Sequence, residues 1–302
     1  MATITTGAHP KALWPGVKSF FGKTYDEKPL MATQILREVS SDKKYEEYVE
    51  ETGFGLASIK AEADAASYDT DAQGYTQRVT NVTYGLGAKV SMEAIQDNQY
   101  ESVARRKAAK LARSMRHTKE TVCANILNRG FNASYTGGDG KELLATDHPT
   151  ISGTQSNELA VAADLSEAAI EDLLTQIRGA QDSRGLKINL QGRCLVIPPA
   201  LEFDAHRIMN STLRVGTANN DINAMRDMGM LPDGVKVWDY LTDADAWFIC
   251  TDAEDGLMLQ ERMALQLTQD NDFDTKNACM LAIERYAASW GDWRGIYGSP
   301  GA

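Results

Sequence analysis

Histidine and cysteine are scarce in this chain, and their placement excludes the commonest metal centres. Four of each stand among 302 residues, with no CxxC pair and no histidine at ligand spacing from a cysteine, so no zinc site is expected. Nor is any cofactor expected. The sequence has no GxSxG, HExxH or GxxxxGK[ST], and GLGAK at 85–89 has too few glycines in register for a dinucleotide fingerprint. No stretch approaches the roughly 18 apolar residues that span a bilayer. MATITTGAHPKALWPG offers neither an apolar signal core nor a cleavage site, so a chain that stays in the compartment of its synthesis, without membrane contact, is expected.

What remains is the composition of a folded protein, 43% apolar and 24% charged, too apolar for a disordered chain. Its length exceeds what one core usually serves, so two packed domains are expected. Cys194 in RCLVI, Cys250 in WFICT and Cys279 in NACMLAI sit in apolar runs, where thiols are buried and free; Cys123 lies far from all three. The net charge of -11 is uneven. RRKAAKLARSMRHTK carries Arg105, Arg106, Lys107, Lys110, Arg113, Arg116 and Lys119 with no acid. An acidic surface repels nucleic acid, so any such contact is confined to this stripe. The plainer reading is a solvated helix face with local ion pairs.

Residues 1–30, with Pro10, Pro15 and Pro29, read as an extended arm without a core of its own. MATQILREVSSDKKYEEYVEE has a weak pattern compatible with short helical turns. In GFGLASIKAEADAASYDTDAQGYTQRVTNVTYGLGAKV two β-rich arms are expected, near 54–60 and 75–90, around an acidic tip. An isolated hairpin is marginal in water, so this one is expected to lie on a neighbouring copy of the chain. The clearest helix follows, with Ala104, Ala108, Leu111, Met115, Thr118, Val122 and Ile126 on one narrow face, Asp97 or Asn98 as cap and Gly130 after its end. Some 30 residues at about 1.5 Å each make a rod of about 45 Å.

Beyond a glycine-rich loop, DLSEAAIEDLLTQIRGAQDSRG predicts an amphipathic helix through Ile170, Leu173, Leu174 and Ile177, stopped at Gly185. Cys194 to Ile197 reads as a buried strand ended by Pro198 and Pro199, with a short helix after it. Strands are expected in GVKVWDY and AWFICTD; MLQERMALQLTQD fits either type. A long strand-like run carries Glu284 and Arg285. The class is α+β.

One loop concentrates reactive side chains. DGKELLATDHPTISGTQSN holds Asp139, Asp147 and His148, the residues a metal-assisted hydrolase would use. Neighbours in an extended chain point to opposite sides, metal sites need three or more converging ligands, and the glycines with local Asp and Ser bonding explain the composition as turns. The same loop resembles one that follows the long helix in major head subunits of tailed phages, the Mu-like group in particular. There G-x-x-L-x-x-x-x-H-P leads to G-x-x-S-N, matched here by Gly140, Leu143, His148, Pro149, Gly153, Ser156 and Asn157. The tail RYAASWGDWRGIYGSPGA is similar to the closing segment of phage capsid proteins through Arg285, Tyr286, Asp292, Trp293, Arg294 and Gly295.

This resemblance implies the Hong Kong 97-type capsid fold: an N-terminal arm (1–45), an extended β loop (46–92), a peripheral domain with the spine helix (93–165 and 270–302) and an axial domain (166–269). It implies a non-enzymatic subunit of an icosahedral virion shell, built from hexamers and pentamers of itself in the host cytoplasm. Double-stranded DNA is the implied content, with portal and scaffold or protease proteins as partners. Some members of this group join a loop lysine to a neighbour's asparagine with help from a glutamate; Lys60, Asn277 and Glu284 are the corresponding candidates. The rival readings are an encapsulin-like compartment, a tail tube or sheath protein, and the hydrolase built on Asp139, Asp147 and His148.

Overall fold

The computed structural model describes residues 21–27, 29–91, 100–213, 222–272 and 277–302; the side chains of 100–105 and of Asn271 are outside the description. Residues 1–20 of the expected arm and both expected helix caps, Asp97 and Asn98, therefore lie outside it.

Two four-stranded sheets and one long helix organise the chain. The helix α1, Tyr100–Asn128, covers the predicted span. Its buried side is Ala108, Leu111, Ala112, Met115, Lys119, Glu120, Cys123, Ala124, Ile126 and Leu127. The first sheet has the order β1, β10, β11, β4, where β1 is Arg37–Ser40, β4 is Val82–Val90, β10 is Leu257–Asn271 and β11 is Ala278–Trp290. β10 and β11 form a long antiparallel ribbon, β4 lies antiparallel on β11, and β1 adds parallel to β10. Beneath it the first half of α1 packs Ala108, Leu111, Ala112 and Met115 against Val90, Ala278, Met280 and Ala282.

The second sheet has the order β12, β9, β7, β8, with β7 at Gly192–Ile197, β8 at Val235–Val237, β9 at Trp247–Thr251 and β12 at Ile296–Ser299. Because side chains alternate along a strand, its two faces bury different sets. Cys194, Val196, Phe248 and Cys250 face the second half of α1, with Cys123, Ala124, Leu127, Leu143 and Leu144. Leu195, Ile197, Trp247, Ile249 and Tyr297 face helix α2, Glu167–Arg178, through Ile170, Leu173, Leu174 and Ile177. Burial on both faces is why RCLVI and WFICT are unbroken apolar runs. Ser166 Oγ caps α2 by accepting from the Ala169 N–H at 3.2 Å, and Gly179 ends it six residues before the expected Gly185. Helices α3, Glu202–Asn210, and α4, Ala224–Met228, complete this layer.

Expectations change in places. The segment expected to hold short helical turns has one, at Ala32–Gln34, and otherwise forms β1 and the strand β2, Tyr45–Glu51. β2 pairs with β3, Gln73–Thr80, so the extended loop is a β2–β3 ribbon, and residues 54–60 carry no strand. YEEYVEE alternates half-buried and exposed positions along β2, a period of two that its paired acids disguise. β10 pairs with β1 and β11, and β12 from the tail joins the sheet of β7 and β9.

Candidate functional site

The glycine-rich loop is tied down by a buried hydrogen-bond knot. Its hairpin pairs β5, His148–Thr150, with β6, Gly153–Gln155. His148 is fully buried; its Nδ1 lies 2.6 Å from Asp139 Oδ2 and its Nε2 lies 3.1 Å from Asn157 Oδ1. Asn157 is equally buried and uses its whole amide. Nδ2 donates to the carbonyls of Leu143, Trp293 and Ile296 at 2.8, 3.1 and 3.0 Å, and Oδ1 accepts from the Ala145 N–H at 3.0 Å. With Nδ2 committed to three carbonyls, Asn157 Oδ1 is the atom that faces His148 Nε2, while Asp139 Oδ2 faces Nδ1. Its face stacks on Trp293 with centroids 4.2 Å apart.

The structure brings Asp139 and His148 together but leaves Asp147 outside, where it pairs with Lys141 Nζ at 2.5 Å. No group of three or more His, Cys, Asp or Glu suited to a metal exists among the described residues. The knot's chemistry is adhesion: it binds the loop to the tail.

Each residue of the tail motif DWRG has a distinct task. Asp292 Oδ1 accepts from the Arg294 N–H at 2.9 Å, turning the chain, and Trp293 supplies the stacking face for His148. Arg294, almost wholly buried, donates from Nε to the Gln181 carbonyl at 2.9 Å; its terminal nitrogens approach Glu50 Oε1 and Gln155 Oε1, each at 3.4 Å. One guanidinium thereby joins the tail, the β5–β6 hairpin, the segment after α2 and the ribbon strand β2. A Cβ on Gly295 would stand 2.3 Å from Gly256 Cα, so the backbones touch there. Gly295→Ala is expected to lower stability by about 1–3 kcal/mol through overpacking, read from the urea midpoint of the soluble subunit.

The basic run does not stay together. Arg106 and Lys110 are exposed, and Arg113, also exposed, reaches Glu27 at 3.6 Å. Lys107 Nζ donates to the Lys89 carbonyl at 2.7 Å and Arg116 to the Pro29 carbonyl at 2.7 Å, so these two strap β4 and the N-terminal segment to α1. The Arg105 side chain lies outside the described residues. Lys119 leaves the surface altogether. Its Nζ is 2.9 Å from Glu261 Oε2 and 3.5 Å from Glu284 Oε2, and its side chain is 6% exposed. Burial pushes the Lys119 pKa down, but the Glu261 hydrogen bond and the charges of Glu284 and Glu261 outweigh it, and the net displacement is upward. Burial raises the Glu284 carboxyl above its ordinary value, with Lys119 pulling it back. Spacing held this signal: Met115, Lys119 and Cys123 form one row at intervals of four.

Lys60 sits in the exposed loop between β2 and β3, whereas Glu284 is enclosed in β11; Asn277 immediately precedes β11. Sequence reasoning missed what is most exposed on that loop. Phe54, Leu56, Ile59 and Tyr68 are 61%, 85%, 101% and 97% exposed, a set of large apolar side chains left uncovered among the described residues. Arg184 fixes the returning limb, with NH1 2.7 Å from Asp69 Oδ2 and NH2 donating to the Thr70 carbonyl. Scattered exposed apolar residues are ordinary; a cluster marks an interaction surface.

Comparison with known proteins accounts for these features together. No curated protein matches the chain. Among solved structures, a virus-like particle from Pyrococcus furiosus is similar over 94% of this chain and 97% of its own, at 12% identity and a TM-score of 0.54. The capsid of a native GTA particle is similar over 90% of each chain, at 15% identity and a TM-score of 0.53. At such identities the likeness is one of fold, and that fold is the Hong Kong 97-type expected from the loop and tail motifs. The family model for phage capsid protein matches residues 74–299, from the second ribbon strand to the end of β12, and on that match the chain belongs to the phage capsid protein family.

Proposed function

We propose that the chain is the repeating shell subunit of a tailed-phage head, assembling in the host cytoplasm as hexamers and pentamers of a closed icosahedral container for double-stranded DNA. The observation that carries this reading is the uncovered apolar run Phe54, Leu56, Ile59 and Tyr68 on a ribbon whose base is anchored by Arg294 and Arg184. A rigid base with an apolar, unsatisfied end is suited to lie across a neighbour. Stable interfaces bury about 1,600 Å², and a closed shell sums many of them. In this reading the arm, the β2–β3 ribbon, a peripheral part built on α1 with the β10–β11 ribbon, and an axial part built on β7 and β9 form the four regions of the subunit. Portal and scaffold or protease proteins complete the assembly.

Leu56→Asp combined with Ile59→Asp tests it. Subunit stability is expected to change by no more than about 0.5 kcal/mol, because both positions are exposed. Assembly, followed by sedimentation, is expected to be lost. Particles forming at the wild-type yield would remove the ribbon from the interface.

Of the basic run, Arg106, Lys110 and Arg113 are exposed side chains, and packaged DNA would meet these. If they meet phosphates, binding of duplex DNA by the subunit falls with salt, with a slope of roughly -0.9 in log affinity per neutralised phosphate. Substituting all three with glutamine is expected to flatten that slope. A slope unchanged by the substitution would assign these bases to the solvated surface.

A further inference from the structure

Two cysteines face one another in the middle of the second sheet. Cys194 on β7 and Cys250 on β9 are direct cross-strand partners in an antiparallel pair, so their side chains project from the same face. Both enter the same core, at 5% and 7% exposure, and both are free thiols. Residues opposite one another in antiparallel strands have Cα atoms about 4.5–5.5 Å apart, within the roughly 4.4–6.8 Å that a disulfide spans. The backbone therefore already holds the separation that a disulfide requires. A register irregularity between Gly192 and Cys194 gives β7 a local bend beside the pair, where strand twist is greatest.

We propose that Cys194 and Cys250 are an oxidisable pair, a cross-strand staple that closes between β7 and β9 when the protein meets a small peroxide. The reaction balances within the pair. Cys194 attacks one oxygen of hydrogen peroxide, the O–O bond breaks, hydroxide leaves, and Cys194 becomes a sulfenic acid. Cys250 then attacks that sulfur, the S–O bond breaks, and the disulfide forms as the second oxygen departs. The two thiol protons end on the departing oxygens, so peroxide is reduced to two waters as two thiols are oxidised. Peroxide is small enough for a nearly enclosed site. Contact between the thiols lowers the pKa of Cys194 and raises that of Cys250; the disulfide formed is the same whichever sulfur reacts first. Cys123 shares this core but comes from α1, and burial pushes its thiol up to about 12, which keeps it protonated and unreactive.

The test uses the full chain, reduced and then treated with equimolar hydrogen peroxide. Free thiols are blocked with iodoacetamide as the protein is unfolded, and its peptides are mapped by mass. The expected product links the peptides containing Cys194 and Cys250 through a disulfide, leaves Cys123 and Cys279 alkylated, raises the unfolding midpoint, and reverts with dithiothreitol. In Cys250→Ser, dimedone is expected to trap Cys194 as its sulfenic acid; should that variant fail to fold, the wild-type map decides. The proposal is overturned if both residues are recovered alkylated, separately oxidised to sulfinic acids, or joined to other cysteines. It rests on strand register and not on the shell reading, so either stands if the other fails.

Discussion

Asn157→Leu is expected to destabilise the subunit by about 3–5 kcal/mol, among the largest effects of any single substitution in the chain. Leucine fills a similar space but strands the Ala145 N–H and takes a hydrogen-bond partner from the carbonyls of Leu143, Trp293 and Ile296 and from His148 Nε2; of these the Trp293 carbonyl keeps the Ile296 N–H. An unsatisfied buried group costs about 1–3 kcal/mol, and relaxation recovers only part of the sum. Against a total stability of about 5–15 kcal/mol, the variant would sit close to unfolding. Asn157→Asp is expected to do no better although it is nearly isosteric, because it turns the donor facing three carbonyls into an acceptor. Urea unfolding of the unassembled subunit measures both. A loss below about 1 kcal/mol for either variant would mean that the loop and tail are not held together by this knot.

The second large effect lies at Lys119. Lys119→Met leaves Glu284, whose own side chain is 0% exposed, without its cation, and breaking a buried pair in this way costs about 3–5 kcal/mol. Adding Glu284→Gln is expected to restore most of that, since the penalty belongs to the stranded charge and not to the lost attraction. The pH response separates the two partners. Lys119 has its pKa raised in the fold, so its stabilisation is complete below the unfolded lysine value of about 10.4 and is lost as pH climbs through the folded value. Glu284 is also displaced upward, so its ionisation costs stability as pH rises above the unfolded carboxylate value of about 4.3. Wild-type stability should therefore fall at strongly alkaline pH. Lys119→Met should lose that alkaline step and regain stability on acidification. A variant whose deficit is the same at acid and neutral pH would show that the pair's electrostatics are not the cause.

The sequence reading succeeded where one physical requirement dominated. The α1 helix, the short unbroken runs RCLVI and WFICT, and the long strand β11 each take the form their apolar pattern predicts, and the tail motif pointed to a real structural junction. It failed where two signals overlapped. The paired acids of YEEYVEE imitate a helix face while the chain alternates as β2. β10 carries two register irregularities, between Glu261 and Met263 and between Met263 and Gln266, which disrupt the alternation in MLQERMALQLTQD. Lys119 was counted with a surface stripe because its charge outweighed its position on the Met115 and Cys123 row. At the loop, Asp139 and His148 do meet, yet their third partner is Asn157, not Asp147. Composition marked the loop as unusual; only the fold shows that the tail, some 140 residues later, completes it.

The central claim is that this subunit buries its apolar ribbon end on copies of itself. Electron microscopy of the full chain, expressed with any assembly partners it needs, tests that most directly. Closed particles of uniform diameter, with each ribbon laid over an adjacent subunit and Ile59 out of contact with solvent, are the expected result. A population of single subunits at high concentration, with Phe54, Leu56, Ile59 and Tyr68 folded onto their own chain, would contradict it.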